Sequence, residues 1–206
     1  MLKIWGRNNS INVQKVMWTV AELGLQHQRV DVGGEHGGLD TSEYRALNPN
    51  RQIPTLDDHG FVLWESNVIV RYLAAKYGGE ALWPLDLEPR TIAEQWMDWQ
   101  QTTLLPDMRT LFWSLVRTAP EKRDVSAIDA AARSLTAIWE RLDEHLERRS
   151  FVAGDRFTMG DIPVGAMYHR YHALGVKRAA FKSLTAWYER LKERPAYRAH
   201  VMLPLS

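Results

Sequence analysis

The spacing of apolar positions changes character near residue 80. Before it, the chain reads as short elements broken by turns. Leu2–Trp5 is a short strand candidate ended by Gly6. From Asn12 to Leu23, Val13, Val16, Met17, Val20 and Leu23 recur at helical spacing, and Gly24 supplies the stop. His27–Val32 alternates as a strand and runs into a glycine-rich loop, Gly33–Gly38. Asp40 and Glu43 have the spacing of a capping box ahead of a short helix ending near Leu47. Pro54–Leu56 and Phe61–Leu63 read as strands joined through Asp57–Gly60, a hairpin signal. Ser66–Tyr77 is a helix with Val68, Ile69, Tyr72 and Leu73 on one face, stopped by Gly78–Gly79.

The order strand, helix, strand, helix, strand, strand, helix carries a topology. The first two strands are joined through a helix and should be parallel, while the last two form an antiparallel hairpin. A small mixed sheet flanked by helices follows, the thioredoxin-like layout. Gly79–Pro89, with Pro84 and Pro89, reads as a linker. Beyond it the pattern is helical throughout. Ile92, Trp96, Trp99 and Thr103 trace one stripe, continued by Leu104, Met108, Leu111 and Leu115, and Pro106 within it should kink or break the helix. Leu135, Ile138, Trp139, Leu142 and Leu146 mark a long helix over about Ala127–Arg148. Another begins at Thr158, and a last runs from about Ser183 to Arg194, stopped at Pro195. The expected fold is an α/β thioredoxin-like N-terminal domain over residues 1–80, followed by an all-α helical-bundle C-terminal domain over 81–206. Nine of the 13 glycines fall in the first of these, which fits its many turns.

Composition narrows the function classes. The 206 residues are 45% hydrophobic and 25% charged, which supports a real core and excludes bulk disorder. Lys+Arg 26 against Asp+Glu 25 leaves a net charge of +1, without the basic excess of a nucleic-acid binder. The absence of cysteine removes disulfides, thiolate nucleophiles and Cys-ligated metals together, and fits a reducing, cytoplasmic compartment. MLKIWGRNNS turns polar at once and is no signal peptide, and no apolar run approaches the ~20 residues of a membrane span. The seven histidines show no zinc-binding spacing.

The richest stretch chemically is Asn48-Pro-Asn-Arg-Gln-Ile-Pro-Thr-Leu56, followed by Leu63-Trp-Glu-Ser-Asn67. Proline opening a strand at 54 cannot donate to a ladder. A cis Ile53–Pro54 bond would turn the Ile53 main chain outward, free to pair with an extended peptide by strand addition. Glu65-Ser66 sits where a strand gives way to a helix, so free N–H groups and the dipole there favour a carboxylate, and Glu65 can pair with an ammonium. A ligand with an α-amino-acid head and a peptide body would satisfy all of these groups.

That ligand description matches glutathione. The Asn-Pro, Ile-Pro and Glu-Ser elements, in this order, resemble the glutathione transferase family, and the resemblance spans the chain. Phe157-Thr-Met-Gly-Asp-Ile162 adds to it. Thr158 would cap a helix whose third residue is Asp161, with Phe157 and Ile162 as the hydrophobic staple, an element characteristic of the family's second domain. The resemblance implies a cytosolic homodimer that binds glutathione and a small apolar electrophile, serves detoxification, and needs no cofactor. By the same resemblance Gln52, Ile53, Pro54, Glu65 and Ser66 would bind glutathione. Ser10, 14 residues before Gly24, has the spacing of the catalytic serine of theta-type relatives. Ser10-Ile-Asn12 is also similar to the Thr-Pro-Asn of a bacterial subgroup active on disulfides, which makes Asn12 a second catalytic candidate.

Each position also has a plainer reading. Ser10 could be an ordinary helix cap, Glu65-Ser66 a mere helix start, and His36 a solvated loop residue rather than a contact for the glycyl carboxylate. Met108, Phe112 and Trp113, just beyond Pro106, could line an electrophile pocket or simply pack the bundle. Three functions stay open at this point: transfer of glutathione to an electrophile, glutathione-dependent reduction of disulfides or peroxides, and a non-catalytic interaction module on the same fold. The joint presence of the hydroxyl, Ile-Pro and Glu-Ser elements favours an enzyme.

Overall fold

A computed structural model describes residues 1–177 and 179–206. The N-terminal region contains β1 (Leu2–Trp5), α1 (Ile11–Glu22), β2 (His27–Val30), α2 (Ser42–Leu47), β3 (Thr55–Asp58), β4 (Phe61–Trp64) and α3 (Ser66–Tyr77). The sheet order is β2-β1-β3-β4. β1 and β2 are parallel, with Leu2 opposite His27, while β1 and β3 are antiparallel, with Ile4 opposite Leu56. Leu2 and Ile4 point into a core shared with Val13, Val16, Val20, Leu56, Ile69 and Leu73.

Local chemistry moves several boundaries by a residue or two. β2 ends at Val30, although Val32 still accepts a hydrogen bond from Arg7 N at 3.2 Å. α2 is capped not by Asp40 but by Thr41, whose hydroxyl accepts from Tyr44 N at 3.2 Å; Asp40 reaches Arg51 instead, at 2.8 Å. β3 starts at Thr55, one residue after Pro54, which has no N–H to give, and the Ile53–Pro54 bond is cis. His59 and Gly60 close the β3–β4 hairpin with φ of 54° and 93°, the doubly left-handed turn that matches strand twist, and Asp57 accepts from Gly60 N.

Helices follow: α4 (Gly79–Leu82), α5 (Leu87–Trp99), α6 (Leu105–Phe112), α7 (Val125–Leu146), α8 (Asp161–Ala173), α9 (Lys182–Lys192) and α10 (Pro195–His200). The segment read as a linker thus holds a short helix, and α5 starts inside it. Pro106 does not break the run. The helical path continues from α5 through a widened π turn, Gln100–Leu104, into α6, and a second π turn, Trp113–Arg117, follows. Widening just before proline takes up the missing hydrogen bond and the clash with the carbonyl four residues back. Pro195 ends one helix and opens the next as its first residue, where its lost N–H costs nothing.

α1 is buried on both sides and joins the two halves. Val13, Val16 and Val20 face the sheet, whereas Ile11 and Trp18 belong to the helical core with Leu104, Met108, Leu135, Trp139, Trp187 and Leu191. Gly165 permits this approach: a Cβ there would meet Leu191 Cδ1 at 2.6 Å and Trp18 at 3.2 Å. The pair Glu22–Arg194, at 2.7 Å, ties α1 to the start of α10.

The Thr158–Asp161 element forms with altered geometry. Regular helix begins at Asp161, whose Oδ2 accepts from Thr158 N at 3.0 Å as in a capping box. The Thr158 hydroxyl accepts from Gly160 N, a residue earlier than a box would have it. Phe157 and Ile162 are both buried in the same core.

Candidate functional site

A cavity of about 920 Å³ opens between the two regions. One wall is built from the start of α1, with Ser10 and Asn12, together with Gln52 and Glu65; the facing wall carries Met108, Phe112 and Trp113. Seven of the sequence candidates therefore meet at one surface. Ile53, Pro54 and Ser66 are not in the lining, but follow Gln52 and Glu65 in the chain. His36 is not in the lining and lies within ion-pair range of Glu35 and Asp31 on the glycine-rich loop.

The backbone near Gln52 is held by buried polar groups. Asn48 Nδ2 and the Tyr44 hydroxyl both donate to the Gln52 carbonyl, at 2.9 and 2.6 Å, and both also reach Thr55 Oγ1. Asn48 Oδ1 accepts from Asn50 N at 3.0 Å. The Gln52 carbonyl and the Asn50 amide are thus spoken for, and the Gln52 side chain is left to the cavity.

Ser10 occupies the N-cap position of α1 in extended conformation, yet its side chain makes no capping bond. Its carbonyl accepts from Gln14 N at 2.9 Å, so the main chain serves the helix while the hydroxyl faces the cavity uncommitted. The plain capping reading of this serine does not hold. Glu65 precedes α3 with φ of 70°, a conformation that costs an ordinary residue of order 1–3 kcal/mol and concentrates at ligand-binding positions.

Beneath that helix start lies Lys15. Its ammonium donates to Gln100 Oε1 at 2.9 Å, Asn67 Oδ1 at 3.3 Å and Ser66 Oγ at 3.4 Å. Burial pushes its pKa down to about 7, the positive field of Arg170 adds to this, and Glu65 opposes it. Sequence reading passed over Lys15, although a signal existed: α1 is apolar on both faces and leaves no wet side for a lysine. Arg7, Arg109, Arg117 and Arg170 also line the cavity and were not anticipated; they come from separate stretches with no shared motif. Among the described residues no group of three or more His, Cys, Asp or Glu could hold a metal ion.

Several known proteins are similar to this chain in sequence and fold. Residues 1–75 match the family model for the N-terminal domain of glutathione S-transferases, and residues 126–190 match the model for their C-terminal domain. Glutathione S-transferase GstB of Escherichia coli K12 is 42% identical over 208 residues, covering 100% of both chains. A crystal structure of the theta class glutathione S-transferase from Xanthomonas axonopodis pv. citri, with glutathione bound, is 44% identical with a TM-score of 0.96, covering 100% of this chain and 99% of that one. The Bombyx mori glutathione transferase BmGSTD1 is 30% identical with a TM-score of 0.85, covering 97% and 92%.

Proposed function

This chain belongs to the glutathione S-transferase family and is an enzyme that transfers glutathione to an electrophile; from that premise we propose that Ser10 activates the glutathione thiol, with Asn12 beside it. The observation that carries this is the Ser10 hydroxyl, released from capping duty and turned to the cavity at the N-terminus of α1.

A free thiol with a pKa near ~8.5 is only a few per cent thiolate at neutral pH. Lowering it by about two units takes roughly 2.7 kcal/mol of preferential thiolate stabilisation. A single hydrogen bond to a charged group is worth about 1.5–3 kcal/mol, so one hydroxyl is sufficient. The thiolate sulfur then attacks the electrophilic centre, whose leaving group departs with the bonding electrons.

The remaining assignments follow the direction of the peptide. The γ-glutamyl ammonium pairs with Glu65, and its carboxylate meets Ser66 and the free N–H groups of α3, with the buried Lys15 charge behind them. The cysteinyl unit pairs with the Ile53 main chain beside Pro54, and Gln52 takes the glycyl carboxylate. Met108, Phe112 and Trp113 face the sulfur from the helical wall and receive the electrophile. The glutathione complex of the Xanthomonas relative supports binding of the same tripeptide here.

A homodimer and a cytoplasmic location belong to the same proposal. The first is supported by exposed apolar side chains at the sheet edge and the start of α3, Phe61, Trp64 and Val68, which a second copy would cover. The second is supported by the cysteine-free composition. No helix among the described residues is long and apolar enough to cross a membrane.

The test is the ultraviolet absorbance of the thiolate in the enzyme–glutathione complex, titrated against pH. Its midpoint should lie about two units below that of free glutathione and move back up in Ser10→Ala. Coincident midpoints would acquit the serine.

A further inference from the structure

The wall assigned above to the electrophile is not simply apolar. Arg109 on α6, Arg117 in the π turn that follows and Arg170 on α8 line it, and Arg7 faces them from the β1–α1 loop. Among the described residues the acidic side chains of the lining are Glu35 and Glu65, and Glu65 is committed to the ammonium of glutathione in the reading above. None of the four arginines has a side-chain carboxylate within ion-pair distance among the described residues.

The Phe112 ring carries two of them. The Arg170 guanidinium lies 4.4 Å from its centroid and that of Arg117 lies 5.8 Å away. Arg170 Nη2 donates to the Asn9 carbonyl, while its Nε is buried with no hydrogen-bond partner among the described residues. Arg117 donates to the Ser206 main-chain oxygen at 2.6 Å. Burial together with the fields of Arg117 and Arg7 holds Arg170 down to about 10, so it stays charged at neutral pH while feeling its neighbours' repulsion. Arg7 is lowered by burial and Arg117 in the same way.

A neutral electrophile on this wall would strip water from guanidinium groups and return no counter-charge. An oxyanion would supply the missing acceptors and relieve the repulsion, through charge-assisted bonds that a planar fork is suited to make. We infer that the second substrate of this enzyme is an electrophile bearing a carboxylate or a like oxyanion, with Arg7, Arg117 and Arg170 as its specificity-determining contacts. This rests on the transferase reading above and narrows its apolar electrophile. Glutathione does not need these groups in that reading. Its two carboxylates are taken by Ser66 and Gln52, whereas Arg117 stands on the π turn that carries Trp113, and Arg170 reaches from α8 over the Phe112 ring.

The experiment uses a matched pair of aryl chlorides, a chloronitrobenzoate and the corresponding neutral chloronitrobenzamide. In both, the thiolate sulfur bonds to the ring carbon, chloride leaves with the electron pair of the broken C–Cl bond, and the thiol proton passes to the medium. Each rate is divided by that of the uncatalysed reaction with glutathione, which removes intrinsic reactivity. The enhancement should favour the carboxylate by at least about tenfold, the worth of one charged hydrogen bond. The preference should weaken with added salt. It should fall severalfold in Arg117→Gln, an exposed position that does not endanger folding, and in Arg7→Gln. Equal enhancement of the two substrates, or a ratio unmoved by both substitutions, overturns the inference. A glutathione affinity that drops in both variants while the ratio holds also overturns it, because the arginines would then serve glutathione itself. Loss of the transferase reading looks different: calorimetry would find no glutathione binding in the parent, and neither chloride would be turned over.

Discussion

The Trp187 indole N–H donates to Asp161 Oδ1 at 2.9 Å, joining α9 to the first residue of α8 inside the helical core. The same carboxylate accepts from Val152 N and Thr158 N, both at 3.0 Å. Burial lifts its pKa to about 6 against the pull of these three donors. An aspartate that looks in sequence like one half of a capping box is therefore the joint of three segments. Asp161→Ala should destabilise the protein by at least about 3 kcal/mol, since each orphaned buried donor costs about 1–3 kcal/mol. Asp161→Asn should fare poorly too, because its amide must turn an N–H toward another N–H. Thr158→Ala removes one acceptor for Gly160 N and should cost only about 1 kcal/mol. Denaturant unfolding of the three variants decides this; an Asp161→Asn midpoint equal to the parent's would mean that the carboxylate joins nothing.

The contrast between Asp161 and the arginines shows what a sequence can disclose. Alternation in His27–Val32, helical spacing in α1 and the turn at Asp57–Gly60 are local patterns, so the sheet and its flanking helices were legible. Glu65 could be picked out because a strand gives way to a helix there and exposes main-chain chemistry, whereas Ser10 and Gln52 were named through the resemblance to the glutathione transferase family. Choosing Asp40 over Thr41 as the cap of α2 was a one-residue ambiguity between two good acceptors, settled only by which one pairs with Arg51. Arg7, Arg117 and Arg170 have no mutual spacing to read. Their proximity is a product of α1 packing against the helical bundle, and it exists only in the fold.

Lys15 offers a pH test of the buried ammonium beneath Ser66. Its native pKa, near 7, lies below the 10.5 of an unperturbed lysine. Between those values the unfolded chain binds a proton that the native chain has released, so this residue makes native stability rise with pH across that window. Lys15→Met removes the titrating group. The parent's stability relative to the variant should therefore climb from about pH 7 toward pH 10 in urea unfolding series. A difference that stays flat, or falls, would mean that the ammonium keeps its proton in the core.

Glu65 should trade stability against binding. Glu65→Ala and Ser66→Ala should each weaken glutathione by roughly 1.5–3 kcal/mol, or about tenfold to a hundredfold in Kd. Because Glu65 sits at positive φ, Glu65→Gly should bind as poorly as Glu65→Ala yet be the more stable of the two by about 1 kcal/mol. Calorimetry and melting curves on the pair give both readings. Full affinity in Glu65→Ala would remove the ammonium contact from the site.

Ser10 and Asn12 can be separated by what they do to turnover as the medium changes. If the serine hydroxyl is the main donor to sulfur, Ser10→Ala should cut conjugation most near neutral pH. The deficit should shrink as pH rises toward the thiol's own pKa, where solvent deprotonates glutathione unaided. Asn12→Ala should have the smaller effect on conjugation, because a neutral amide donor placed one residue inside α1 supplements a charge-assisted bond already made. Disulfide substrates even out the weights: if hydroxyl and amide share the work there, both substitutions should damage turnover by similar factors. Pre-steady-state rates with an aryl chloride and a mixed disulfide, each over a pH series, separate the cases. A Ser10→Ala deficit constant from neutral to alkaline pH would show that the hydroxyl acts after thiol ionisation, on the leaving group or on the pose of the electrophile, and the first helix's N-terminal amides would then hold the thiolate.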